Sequence, residues 1–219
     1  MRRGRECGMT AAISLISSAP GVRRVPGFDP ARPERAAADE DDALMARVAE
    51  GDQRAFARLV ARHSPRAQAL AHRFTGAAGE AEDIVQEAFW RVWRSAGRWT
   101  PGGARFSTWL HRIVVNLCVD HDRRRRIRRL LPFADAFDPP SDDVGPERTI
   151  VGRGEMAALR IDIGKLPARQ RAALLLSADG ERSNAEIATV LQTTEKAVES
   201  MLVRARRTLR GKLAARGEM

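Results

Sequence analysis

The sequence predicts an all-α fold in two small helical modules joined by a flexible acidic linker, and three observations lead there. From Asp39 onward, apolar residues recur at a spacing near 3.6, and nothing alternates with period two over a useful length. Glycine and proline punctuate that pattern where helices would end and loops begin. A stretch at 131–153, with four prolines and five acids against two arginines, separates two helical blocks. Tyr is absent and aromatics make up only 5% of residues, which argues against an aromatic-rich β-sandwich.

The first 38 residues hold four prolines, four glycines and no sustained periodicity, as a disordered leader or an upstream start codon would. Arg2, Arg3 and Arg5 before the apolar stretch 9–16 imitate an export signal. That stretch is short, broken by serines and followed by Arg23 and Arg24, so export is not expected. The first helical stretch carries Leu44, Val48, Phe56, Leu59 and Val60, with Gly51-Asp52 as a stop and restart. A second stretch, 65–74, ends at Thr75-Gly76. The third, 80–96, gathers Ile84, Val85, Ala88, Phe89, Val92 and Trp93 on one face. Residues 97–104, with three glycines and a proline, predict a loop. Ser107 or Thr108 then suits the cap of a helix to about Arg129, striped by Trp109, Leu110, Ile113, Val114 and Leu117. These elements form a first domain at 39–130. After the linker, helices are expected at about 154–164, 167–178, 183–191 and 194–212, with a tail at 213–219. Pro167 suits a first turn and Gly180 a C-terminal cap.

Charge is unevenly placed. The chain carries +10 net, and 35 of its 38 basic residues are arginine. Residues 1–38 hold +4, 39–100 hold −1, 101–130 hold +6, 131–153 hold −3 and 154–219 hold +4. Two basic modules joined by an acidic strap suit two contacts on one polyanion. Cys7 and Cys118 are the only cysteines, which excludes a disulfide framework and fits a reducing compartment. No apolar run approaches the roughly 20 residues of a membrane span.

The most specific local signal lies near the C-terminus. Ser183 with Glu186 three residues on reads as a capping box opening a short helix with Ile187, Ala188 and Leu191 inward. Gln192-Thr193-Thr194 forms a three-residue break, and the next helix buries Val198, Leu202, Ala205 and Leu209. This is a helix-turn-helix, whose outward face offers Lys196, Glu199, Ser200, Arg204 and Arg207 to phosphates and base edges. An amphipathic hairpin has the same periodicity; the capped short helix, the turn length and the basic tail favour DNA. A second signal is the helix 106–129, with Arg112, Asn116, Asp120 and Arg123 along one face and an arginine cluster at its end. A basic helix terminus also suits the helix dipole. Trp99 and Phe106 beside it favour the other reading, because unstacked bases need flat aromatic surfaces.

At this point three stretches resemble the extracytoplasmic-function group of bacterial sigma factors: AEDIVQEAFWRVWR, FSTWLHRIVVNLCVDHDRRRR and SNAEIATVLQTTEKAVESMLVRARRTLR. The opening DDALMARVAEGDQRAFARLVARH is similar to that family's first stretch as well. The resemblance covers about 39–127 and 154–212. It implies a promoter-recognition subunit that binds core RNA polymerase, directs it to promoters and opens the duplex at the minus-ten element. Glu82, Asp83, Gln86 and Glu87 match the positions that dock on the clamp helices of the polymerase largest subunit, with Phe89 and Trp93 shaping the hydrophobic side. The loop 97–104 matches the base-capturing element, and Trp99, Arg105, Arg112, Asn116, Arg123 and Arg124 become candidates for the minus-ten strand. Trp109 matches the family tryptophan but falls on the apolar stripe and is assigned to the core. In the helix-turn-helix, Thr194, Lys196, Glu199, Ser200, Arg204 and Arg207 become candidates for the minus-thirty-five element. The resemblance further implies a contact with the polymerase flap region, an anti-sigma factor as partner, a stress or environmental signal, and a cytoplasmic location. Gln192 stands where the turn commonly has Gly, and Glu199 and Met201 replace positions that are often basic.

Enzyme readings carry less. Cys118 and His121 are three apart on one helix, but no second Cys/His pair completes a metal site, so no metal and no cofactor are expected. There is no glycine-rich phosphate loop followed by Lys and no Ser-His-Asp arrangement. A recombinase or nuclease with a helix-turn-helix tail would need a carboxylate cluster, and Asp39, Asp41 and Asp42 read instead as a helix N-terminus. An ordinary repressor would leave the acidic helix and the aromatic loop unexplained. No catalytic residue is assigned.

Overall fold

The computed structural model describes residues 32–129, 150–180 and 182–217, and among them every regular element is helical. The leader through residue 31, Cys7 included, and most of the strap lie outside the described residues. The helices are α1 (Arg32–Ala49), α2 (Gln53–Thr75), α3 (Ala78–Ser95), α4 (Phe106–Arg129), α5 (Ile150–Gly164), α6 (Ala168–Ala178), α7 (Asn184–Leu191) and α8 (Glu195–Ala215), with one 3-10 turn at Ala96–Arg98.

Local chemistry explains most of the boundaries. Asp52 caps α2 by accepting from the backbone N–H of Arg54 and Ala55, and Arg47 grips the same carboxylate at 2.5 Å. Gly76 ends α2 in the left-handed region (φ 82), where glycine carries no Cβ penalty. The capping box of Ser183 and Glu186 forms as the sequence requires. Gln192 takes the left-handed conformation (φ 50), so a non-glycine residue bears the strain of the turn.

Several bounds differ from the sequence expectation. α1 starts at Arg32 rather than Asp39, helped by Pro33 in its first turn and an alanine run. α2 runs straight through Pro65 instead of restarting there, because buried His63, Ala67 and Leu70 on either side hold the helix to its neighbours. Ser107 and Thr108 lie inside the first turn of α4 rather than capping it; the turn closes from the N–H of Trp109 to the carbonyl of Arg105. α5 begins at Ile150, so residues 150–153 belong to a helix and not to the linker.

Helices α1–α4 and α5–α8 each form a module, yet one buried cluster runs from Met45 in α1 to Leu202 in α8. The short α7 packs on α4, and α6 packs against both α2 and α4. Arg171 of α6 is the pivot. Only 4% exposed, it donates to the Phe74 carbonyl at 2.9 Å and to Asp122 at 2.6 Å, with its guanidinium carbon 4.3 Å from the Phe74 ring centre. Arg73 pairs with Asp179 at 2.7 Å along the same seam. Within the second module, buried Asp162 of α5 ties down the end of α8 through Lys212 and Arg216.

Candidate partner-protein and nucleic-acid interfaces

On the first module, α2 and α3 enclose a groove of about 450 Å³ whose floor includes Phe56, Val60, Val85 and Phe89. Glu82 and Gln86 stand on its rim, and Trp90 lines it while remaining 56% exposed. Asp83 is exposed beside them, whereas Glu87 is half-buried and accepts from Arg91 at 2.8 Å. Trp93 is partly buried, edge-on to Phe56 at 5.1 Å. An apolar trench with an acidic rim fits an amphipathic helix with basic flanks. The sequence reading missed Trp90, although its place one step off the apolar stripe of α3 marks it as an outward aromatic.

The glycine loop and α4 make a second surface. Arg105, Arg112, Asn116, Arg123 and Arg124 are all exposed, and Arg123 lies 3.3 Å from Asp120. The step of four residues from Arg112 to Asn116 and of seven from Asn116 to Arg123 keeps those three along one face. Trp99 differs. It is half-buried, 5.1 Å from Trp109 and 6.0 Å from Phe106, and its indole N–H donates to Asp42. Trp109 is itself partly buried against the core, in keeping with its assignment there.

The third surface is the outward face of α8. Lys196, Glu199, Arg204 and Arg207 are exposed, and Ser200 accepts from Arg204 at 2.6 Å. Glu199 has no ion-pair partner among the described residues, so neither Lys196 nor Arg204 neutralises it. Thr194 serves α8 as its N-cap, accepting from the N–H of Ala197 at 3.2 Å. Val203 is 64% exposed and falls between Glu199 and Arg207 on the same face. An exposed apolar side chain there suits a thymine methyl group in the major groove. Its spacing of four from Glu199 was the available signal.

Titratable groups outside these surfaces are structural. Burial alone would raise the Asp41 carboxyl, but hydrogen bonds and charge from His63 and Arg62 outweigh it and hold the pKa below 3.8. Burial pushes the Cys118 thiol up to about 12, which makes it an inert core residue. His121 lies 3.8 Å from Glu80, and no group of three His, Cys, Asp or Glu among the described residues could hold a metal ion.

His111, on the seam, is expected to make the fold acid-sensitive. Burial first, and then the Arg182 guanidinium 3.2 Å away, push its pKa from 6.5 down to about 4, against the favourable carbonyl of Ser107. The folded imidazole is therefore neutral where the unfolded one is charged, and the unfolded chain binds more protons across that window. Stability should be full above pH 6.5 and fall as pH drops toward 4, by up to about 3 kcal/mol. Urea denaturation at pH 7 and pH 4.5 checks this. His111→Leu should flatten the difference, and an unchanged pH dependence in that variant would assign the effect elsewhere.

Residues 59–128 match the family model described as Sigma-70 region 2, and residues 163–209 match Sigma-70, region 4. The chain is 35% identical over 187 residues to the RNA polymerase sigma factor CnrH of Cupriavidus metallidurans, covering 82% of this chain and 97% of that protein. It is 36% identical over 180 residues to the ECF RNA polymerase sigma factor SigE of Mycolicibacterium smegmatis, covering 80% of this chain and 69% of the other. Among solved structures, CnrH in complex with the cytosolic domain of CnrY is similar at TM-score 0.60 and 33% identity, over 81% of this chain and 99% of that one. The sigma factor RpoE of Bartonella quintana, solved with the anti-sigma factor NepR, shares the fold at TM-score 0.58 and 22% identity, over 73% and 96%.

Proposed function

Because this chain belongs to the extracytoplasmic-function sigma factors, we propose how its three surfaces divide the work of starting transcription. The groove between α2 and α3, with Glu82, Asp83, Gln86, Glu87 and Trp90, docks on helices of the polymerase largest subunit. The loop 97–104 and the outward face of α4, with Arg105, Arg112, Asn116, Arg123 and Arg124, capture the unstacked strand at the minus-ten element. α8 reads the minus-thirty-five element through Lys196, Glu199, Ser200, Val203, Arg204 and Arg207, with Thr194 setting its first turn.

One observation carries this division: a single module, α1–α4, bears both an acid-rimmed apolar groove and an arginine-tipped helix. The first suits a protein and the second a polyanion. A repressor needs only the second. Run-off transcription with purified core polymerase on genomic fragments, with and without this chain, tests the reading; transcription that does not depend on the chain would end it.

The chain does no chemistry of its own in this reading and works in the cytoplasm, where the polymerase is. No helix among the described residues is long and apolar enough to cross a membrane. An anti-sigma factor is its expected regulator, supported by the solved complexes of CnrH with CnrY and of RpoE with NepR. A small protein co-purifying from unstressed cells is the expected result; recovery of polymerase subunits alone would argue against direct sequestration.

Glu199 gives a sharp test of the α8 assignment. An unpaired carboxylate among arginines costs affinity for phosphates, a cost it recovers by accepting from a cytosine amino group, with discrimination of about 1–3 kcal/mol. Glu199→Lys should bind arbitrary DNA more tightly, with a salt dependence steeper by about one counterion. It should also flatten preference at one base pair of the minus-thirty-five element. Binding to a panel of single-base promoter variants decides, and preference unchanged at every position would mean that Glu199 reads nothing.

A further inference from the structure

We propose that Asp42 is the positioning residue of the base-capturing loop, its single carboxylate holding the loop at two points in the shape that receives a base. The inference rests on the reading of residues 97–104 given above.

Asp42 lies in α1, far from the loop in sequence. Its Oδ1 accepts from the indole Nε1 of Trp99 at 3.0 Å, and its Oδ2 accepts from the backbone N–H of Gly102 at 2.8 Å. Across the second anchor the N–H of Gly103 donates to the carbonyl of Thr100 at 3.4 Å. Pro101 occupies the second turn position and Gly102 the third, with φ +73, the pattern of a type II turn. A Cβ added to Gly103 would stand 3.2 Å from the Thr100 carbonyl oxygen, so the turn is tight at Gly103, while Gly102 is required by its positive φ. Trp99 leans on Trp109 and Phe106, which fixes the near anchor to the root of α4.

The charge balance points the same way. Asp42 has no ion-pair partner among the described residues; its bonds to the loop both run from neutral N–H groups to its carboxylate. A carboxylate beside a bound polyanion weakens attraction to it, so its contribution here is geometric. Ordering a loop of glycine, threonine and proline at the moment of binding would cost conformational entropy, and a loop already held in shape avoids that cost. It also reassigns Trp99. With its N–H committed to Asp42 and its ring packed, Trp99 supports the pocket, and the exposed turn from Thr100 to Ala104 faces the base.

The test uses holoenzyme assembled from core polymerase and the full chain. Asp42→Ala should slow open-complex formation on duplex promoters about tenfold, the order expected for losing a charge-assisted hydrogen bond. It should flatten base preference at one minus-ten position and leave core affinity unchanged. Affinity for arbitrary DNA should stay equal or rise, since a negative charge is gone. Trp99→Phe keeps an aromatic side chain against Trp109 and Phe106 but removes the N–H donor together with part of the indole. It should cause part of the same loss, with a combined effect smaller than the sum. Should Asp42→Ala fail to fold, Trp99→Phe carries the same test without touching α1. Wild-type base preference in the variants, or a loss equal at every position and on a template pre-melted at minus ten, would overturn the proposal. Gly102→Val, strained at φ +73, probes the loop itself. If it alters base preference while the Asp42 and Trp99 variants do not, positioning by Asp42 is wrong and the loop reading stands. If no variant alters it, both fall.

Discussion

Asp83→Arg combined with Glu87→Arg is expected to weaken binding to core polymerase at least about 100-fold while leaving the helical circular dichroism intact. The double change reverses the charge beside a groove whose floor is apolar, and like charges facing each other across an interface cost several kcal/mol. Folding should tolerate it. Asp83 is exposed, and Glu87 gives up only its bond to Arg91 on the same helix, a pair worth about 0.5 kcal/mol. Trp90→Ala should weaken binding without changing charge, because an exposed aromatic beside an apolar trench is the usual anchor of such a contact. Comparing the two at low and high salt separates the contributions. The charge-reversal defect should shrink as salt rises, and the Trp90 defect should not. Co-purification at wild-type affinity in the double variant would remove this face from polymerase binding.

What was legible in the sequence was local. The capping box at Ser183, the left-handed requirement at Gln192, and the inward stripes of α3 and α8 each follow from residues within a turn or two. The arginine-rich end of α4 could likewise be read from spacing alone, whereas the acidic rim of α3 came with the family resemblance. What was not legible was long-range. Asp42 read as one of several acids at a helix start, because its partners lie 57 and 60 residues further on. Nothing in the local sequence marks Arg171, yet it is enclosed by Phe74 and Asp122 of the other module. α4 held the missed clue. Of its expected stripe, Leu110, Val114 and Leu117 are fully in the core and Trp109 and Ile113 partly so, and His111, Val115 and Cys118 join them, more of the helix surface than one packing partner covers. α6 says the same, with Arg171 to Leu176 all buried. A helix buried over so much of its surface has neighbours on more than one side.

Those neighbours set the second large effect, expected from Asp122→Ala. The substitution leaves the Arg171 guanidinium buried with only the Phe74 carbonyl and ring to balance it, and breaking one partner of a buried ion pair costs about 3 kcal/mol or more. The loss of the exposed bond to Arg126 adds little to that. The urea midpoint should therefore drop sharply, while Arg171→Met together with Asp122→Ala should recover most of the stability, because no charge is then left buried. The seam belongs to the packed arrangement of the modules. Sites at minus ten and minus thirty-five lie about 25 base pairs apart, about 85 Å along B-form DNA, whereas α8 itself is only about 30 Å long. With α4 assigned to minus ten and α8 to minus thirty-five, as proposed, a seam that joins the modules through one buried core is expected to part when both elements are read at once. Asp122→Ala should thus lower the stability of the free chain and leave the affinity of the holoenzyme for a complete promoter undiminished. A stability change under about 1 kcal/mol would show that Arg171 is balanced by Phe74 alone. A matching fall in promoter affinity would show that the seam persists on DNA.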